Sequence, residues 1–156
     1  MKHVLTCIAL SLAASGSAAT PLWLRDAQIS PSGEEIASCY KGDIYKVAVS
    51  GGQARQLTTT PSYECTPIWS PDGKQIAFAS DRNGNMDLFV MSAEGGTAKR
   101  LTYNSASEIP SAFTPDGKEV LFSAALQDPA SSVLFPTATM TELYAVPVAG
   151  GQVRQV

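Results

Sequence analysis

One histidine, His3, is the only imidazole in the 156 residues. A Ser-His-Asp triad, a Cys-His pair or a histidine-held metal therefore has a single residue to draw on. His3 lies in an N-terminal segment that reads as a removable leader, so the mature chain is expected to carry no imidazole at all. The next candidate is Asp81-Arg82-Asn83-Gly84-Asn85-Met86-Asp87. Asp81, Asn83, Asn85 and Asp87 place an oxygen-bearing side chain at every second residue, as a calcium loop does. The glycine falls at the fourth place rather than the sixth, and no Glu stands at the twelfth. These residues fit an Asx-rich hairpin loop better, its side-chain oxygens bonding nearby backbone N–H groups. Glu34-Glu35 is a carboxylate pair, and a solvated turn accounts for it. No Gly-x-Ser-x-Gly elbow, glycine-rich phosphate loop or zinc-ligand cluster occurs. Neither a catalytic residue nor a cofactor is expected in this chain.

The formal charge is −3, with 11 Lys+Arg against 14 Asp+Glu, which argues against the basic footprint of a nucleic-acid binder. With 44% hydrophobic and 16% charged residues, the chain has the apolar content of a folded domain. Met1-Lys2-His3 is a short basic start, Val4 to Ala14 a mostly apolar run, and Ser15 to Ala19 a small-residue exit. This is the layout of a secretory signal peptide, with cleavage expected before Thr20. The apolar run is shorter than the roughly 20 residues a membrane span needs. Removing residues 1–19 takes Lys2 away and leaves a net charge of −4. A periplasmic or secreted protein without a membrane span is expected.

The rest of the chain is a repeat. Ile29-Ser30-Pro31-Ser32-Gly33 returns as Trp69-Ser70-Pro71-Asp72-Gly73, and again as Phe113-Thr114-Pro115-Asp116-Gly117, at spacings of 40 and 44 residues. A second block follows each first one: Asp43-Ile44-Tyr45 with Gly51-Gly52, Asp87-Leu88-Phe89 with Gly95-Gly96, and Glu142-Leu143-Tyr144 with Gly150-Gly151. The Pro and Gly of the first block are turn residues, and the Gly-Gly pair suits a tight hairpin. Each unit thus reads as four short antiparallel strands, the fourth ending in Leu57-Thr58 or Leu101-Thr102. A period near 40 with four strands is the signature of a β-propeller blade. The expected fold is all-β, with a signal peptide at 1–19 and a partial β-propeller at 20–156. Its three four-stranded blades span about 22–60, 64–104 and 108–156.

Closed propellers need four to eight blades. Three blades, the last reaching Val156, make the chain look truncated: part of a larger, six- or seven-bladed ring. The units differ most between their second and third strands, where unit three carries a long segment from about Ala125 to Met140. Insertions of that kind gather on one face of a repeat array and are either binding elements or tolerated excursions. Cys39 falls in the second strand of unit one, and Cys65 just before the first strand of unit two. They are the only mature cysteines. Export would favour a disulfide between them, whereas the ~10 Å between packed sheets favours two buried free thiols. Ser38 stands where the other units have Phe78 and Phe122, so unit one is expected to pack less well there.

Ser70-Pro71-Asp72-Gly73-Lys74, Ser80-Asp81-Arg82-Asn83-Gly84-Asn85 and Asp87-Leu88-Phe89-Val90-Met91 resemble the TolB-type propeller repeat, and the resemblance covers residues 22–156. That repeat occurs in TolB, in tricorn-type serine peptidases and in prolyl-oligopeptidase relatives. TolB has a small α/β domain between signal and propeller, whereas Pro21 to Asp26 here runs straight into the first blade. The order is similar to that of exported tricorn-like peptidases. The resemblance implies a propeller that admits or positions peptide substrates for a serine-peptidase domain in a missing C-terminal part of the same polypeptide. None of that family's catalytic positions has a counterpart here. The alternative implied is a non-enzymatic, TolB-like protein-binding propeller of the periplasm.

Overall fold

A computed structural model describes residues 23–126 and 141–156. The leader, the cleavage site and most of the 125–140 insertion lie outside the described residues. Twelve strands form three antiparallel sheets, with no helix among the described residues. The first sheet contains β1 (Leu24–Ile29), β2 (Glu35–Tyr40), β3 (Asp43–Ala48) and β4 (Arg55–Gln56). The second contains β5 (Glu64–Trp69), β6 (Gln75–Ser80), β7 (Asp87–Ser92) and β8 (Lys99–Arg100). The third contains β9 (Glu108–Phe113), β10 (Glu119–Ala124), β11 (Glu142–Pro147) and β12 (Arg154–Gln155). In each sheet the strands lie in chain order. These are the three expected blades of an all-β, propeller-like array.

The turn sequence dictates its own hydrogen bonds. In blade two, Ser70 Oγ donates to Asp72 Oδ1 (2.7 Å) and accepts from Gln75 N (2.9 Å), while Asp72 Oδ1 also accepts from Lys74 N (3.1 Å). Thr114 and Asp116 repeat the arrangement in blade three. These bonds hold the Asp72 and Asp116 carboxyls below the ordinary range, the Ser70 and Thr114 hydroxyls contributing most. Gly73 has φ +70°, a conformation that costs a residue with a Cβ about 1 kcal/mol or more. A Cβ on Gly117 would stand 3.6 Å from Pro71 Cδ, so the turn of one blade leans on that of its neighbour.

Two boundaries differ from the sequence reading. The fourth strands are two residues long, and Leu57-Thr58 and Leu101-Thr102 lie just past them. The threonines imitate the ladder with their side chains: Ile44 N donates to Thr58 Oγ1, and Leu88 N to Thr102 Oγ1, each at 2.9 Å. Cys65 lies inside β5 rather than before it, because the β5–β6 pairing begins at Glu64↔Ser80 and runs through a bulge between Cys65 and Ile68.

The core lies between blades. Ala37, Cys39, Ile44 and Leu57 of blade one meet Cys65, Ile76, Phe78, Phe89 and Met91 of blade two. Ala77, Leu88, Val90 and Leu101 of blade two meet Phe113, Val120, Phe122 and Val146 of blade three. Alternation along β6 thus sends Ile76 and Phe78 to one neighbour and Ala77 to the other. Phe78 stacks on Phe89, and Phe122 on Tyr144. Burying one such ring contributes about 1.5–3 kcal/mol. Ser38 is itself buried, paired across the strands with Tyr45. Leu24 and Ile29 on the first strand, and Trp23 just before it, stay exposed.

Candidate functional site

The topology separates two rims. One carries the Ser/Thr-Pro-x-Gly turns and Gly-Gly hairpins, joined by Val49 N to Glu34 O, Ala93 N to Lys74 O and Val148 N to Lys118 O. The other carries the connections between second and third strands, together with the links from blade to blade. Glu64 N donates to Gly42 O, and Glu108 N to Met86 O, each at 2.8 Å, tying each blade's first strand to the loop of the blade before it. The connections between second and third strands in units one and two therefore share this second rim, which is the candidate functional face.

Beneath it lie buried carboxylates, of which only Asp87 is among the sequence candidates. Glu64 is fully buried. Its Oε1 accepts from Thr60 Oγ1 and Ser62 Oγ and pairs with the Arg82 guanidinium, while its Oε2 has no hydrogen-bond partner. Arg82 also donates to Ser80 Oγ (3.0 Å) and lies 4.3 Å from the centre of the Phe89 ring. Asp87 is fully buried, with Arg100 Nη2 2.8 Å from its Oδ2, off the hydrogen-bonding direction. Arg100 lies 4.5 Å over the exposed Tyr103 ring. Glu108 is fully buried and accepts from Asn104 Nδ2 at 2.7 Å. Burial pushes the Glu108 carboxyl up, the field of Asp87 adds to this, and bonds from Thr102 and Asn104 oppose it. Burial, then the field of Glu64, pushes Asp43 up in the same way. Each junction thus repeats one device: an acid at the start of a third strand facing an acid at the start of the next blade's first strand. The signal was present in the repeat, since Asp43 and Asp87, and likewise Glu64 and Glu108, are 44 residues apart.

The residues of the calcium-like loop go to separate tasks. Asp81 Oδ1 accepts from Tyr63 N (2.7 Å), Asn83 is exposed, Asn85 Nδ2 donates to Asn104 O and Ala106 O, and Asp87 pairs with Arg100. Among the described residues no group of three or more His, Cys, Asp or Glu could hold a metal ion. Cys39 and Cys65 are free and buried. On the opposite rim, Lys46 is 6% exposed and bridges Glu35 (2.9 Å) and Glu94 (2.8 Å), and Glu94 also pairs with Arg55. Burial works against the Lys46 charge, but the bonds from Glu94 and Glu35 outweigh it and raise its pKa.

Two clefts reach the variable rim. One, of about 490 Å³, runs from Tyr103, Asn104 and Leu126 past Tyr144 and Gln155 to Gly151 of the Gly-Gly hairpin. The other, of about 400 Å³, lies between blades one and two and is lined by Trp23, Arg25, Cys39, Lys41, Gly42 and Tyr63. Their walls mix aromatic and polar side chains. Glu64, Asp87 and Glu108 lie in the interior, where arginines, hydroxyls and an amide engage them, which is positioning chemistry.

A family profile described as the tricorn protease N-terminal β-propeller domain matches residues 21–156. A dipeptidyl-peptidase 5 of Porphyromonas gingivalis is 41% identical over 46 residues, which are 30% of this chain and 7% of that protein. A solved structure assigned to TolB of Agrobacterium tumefaciens superposes with a TM-score of 0.66 at 26% identity, covering 81% of this chain and 46% of that one. The tricorn protease superposes with a TM-score of 0.61 at 16% identity, covering 80% of this chain and 14% of that one. The chain thus spans less than half the length of each. Among the described residues no helix is long and apolar enough to cross a membrane.

Proposed function

The chain belongs to the tricorn protease N-terminal β-propeller family, and on that premise we propose that it is the propeller region of a tricorn-like serine peptidase, admitting or positioning peptides for a catalytic domain elsewhere in the polypeptide. The observation that carries this reading is the family match across all the described blades. The arrangement of the variable rim supports it. The clefts that reach it offer aromatic and polar contacts, while the acids below anchor the loops and links that form it. Acyl transfer needs a nucleophile, a base and an oxyanion hole, and this reading assigns all three to the catalytic domain. Export, with residues 1–19 as the leader and a periplasmic or secreted destination, belongs to the same proposal.

A second reading, a non-enzymatic TolB-like propeller that binds a partner protein in the periplasm, draws on the 26% identity to the Agrobacterium protein. One experiment separates them. The 20–156 segment and the complete polypeptide that carries it are incubated with the same peptide library. The peptidase reading expects the segment to cleave nothing, and the complete polypeptide to cleave peptides until a serine-directed reagent stops it. A complete polypeptide that cleaves nothing refutes the peptidase reading. If it also holds a partner protein stoichiometrically, the TolB-like reading takes its place.

A further inference from the structure

The function proposed above leaves Cys39 and Cys65 unused, although they come from different blades and meet in one core cluster. We propose that they form a redox pair, closed to an inter-blade disulfide by exchange with a small disulfide that enters through the cleft over Cys39. Cys39 Sγ donates to Glu64 O at 2.8 Å, and that carbonyl belongs to the peptide bond leading into Cys65. The sulfur of blade one therefore lies within one peptide unit of the cysteine of blade two. This is nearer than the ~10 Å between packed sheets allows, because β5 is tied to the Lys41-Gly42 turn through Glu64 N and Gly42 O. Thr66, next in the chain, has φ +53°, and the strand bulges between Cys65 and Ile68, so β5 departs from regular pairing at this point. A disulfide needs Cβ atoms about 3.5–4.5 Å apart. Rotating Cys39 about χ1 off the Glu64 carbonyl is the movement that turns one sulfur toward the other.

The cleft of about 400 Å³ gives the oxidant its way in, because Cys39 lines it together with Arg25, Lys41, Trp23 and Tyr63. Arg25 lies 5.8 Å from the Trp23 ring centre and Lys41 5.4 Å from that of Tyr40. Two cations lining the cleft favour an anionic disulfide such as oxidised glutathione, whereas the fields of Asp26 and Asp43 on Cys39, and of Asp26 and Asp81 on Cys65, act against the thiolates. Burial pushes both thiols up, so the reaction in the folded chain is slow at neutral pH and speeds up as pH rises. In the first step Cys39 loses its proton to solvent and its sulfur attacks one sulfur of the small disulfide, expelling one thiolate. In the second the Cys65 thiolate attacks the mixed disulfide at the Cys39 sulfur and expels the other. Two protein thiols are oxidised to one S–S bond, the small disulfide is reduced to two thiols, and the two released protons balance the thiolates. The product joins blade one to blade two covalently. An exported location would supply an oxidising surrounding, but the chemistry belongs to the folded chain and is tested without export.

The test uses the full chain carrying Cys7→Ser, reduced, desalted and incubated folded with oxidised glutathione across a pH series. The expected result is a monomer lighter by two hydrogen atoms. Tryptic peptide 26–41 should be joined to 56–74, the linkage should reverse with dithiothreitol, and the rate should rise with pH. Cys39→Ser, which keeps a donor for the Glu64 carbonyl, and Cys65→Ala should each abolish the link. Arg25→Glu with Lys41→Glu should slow oxidation several-fold with glutathione disulfide and leave it unchanged with neutral hydroxyethyl disulfide. Thiols that remain free, glutathione adducts that never resolve, dimers linked between chains, or pairing seen only in urea would each overturn the proposal.

Discussion

Replacing Arg82 with Met tests whether the ion pair buried under the variable rim of blade two stabilises the fold. Glu64 is fully buried, its Oε2 has no hydrogen-bond partner, and Arg82 is the cation paired with it. Met keeps most of the side-chain volume but removes the charge and the fork of donors. Leaving a buried charge without its partner costs about 3–5 kcal/mol. Losing the contact 4.3 Å over the Phe89 ring adds about 0.5–1 kcal/mol. The Arg82 side chain is 21% exposed, so water reaches the pair and the low end applies, giving a loss of about 3 kcal/mol. The assay is urea unfolding of the chain, followed by tryptophan fluorescence, for the parent, Arg82→Met, Glu64→Gln and the double variant. Removing both charges leaves no uncompensated ion, so the double variant should be more stable than Arg82→Met alone, with a coupling of about 1–3 kcal/mol. A loss under about 1 kcal/mol for Arg82→Met, or strictly additive variants, would refute the reasoning.

Three further outcomes follow from the same geometry. The folded Glu108 carboxyl is pushed above its unfolded value, chiefly by burial. Its proton therefore stabilises the fold at pH below the unfolded value, and that stability is lost as pH rises through the folded one. Glu108→Gln should flatten this part of the stability–pH curve and be relatively more stable at neutral pH, as read by thermal melts across pH 4–8, a window of roughly the usual carboxyl range upward. Phe78→Ala, at a ring with no exposure between two blades, should cost about 3–5 kcal/mol in urea unfolding. Glu94 is 71% exposed, so Glu94→Gln should cost under about 1 kcal/mol despite its bonds to Lys46 and Arg55, and the difference should fade in high salt.

The fold was legible because each blade spells out its turns. Ser70-Pro71-Asp72-Gly73 forms the hydrogen bonds its residue types call for, and the glycine pairs adopt the positive φ values a tight hairpin needs, as at Gly95 (+79°) and Gly96 (+107°). The fourth strands came out shorter than expected because Thr58 and Thr102 continue the ladder with hydroxyls, which a strand pattern does not distinguish from backbone. Glu64 escaped notice because its charged partner is distant in sequence, Arg82 lying 18 residues away. The Asp81-to-Asp87 stretch reads as an Asx-rich loop rather than a converging site, and it sends Asp81 to Tyr63 ahead of β5 and Asn85 to the link between β8 and β9. Alternation in a short loop does not determine where each side chain points. The ~10 Å sheet spacing used to judge Cys39 and Cys65 is an average over flat packing, and the link from Gly42 to Glu64 brings the strands closer there.

The proposal that these blades select peptides for a serine-peptidase domain stands or falls with deletion of residues 20–156 from the complete polypeptide. Cleavage of a peptide library is then compared with hydrolysis of a small activated ester, which reports whether the catalytic domain is folded. The account predicts that the ester is still hydrolysed while the preference among peptides flattens. Intact peptide preference in the deleted protein would contradict it.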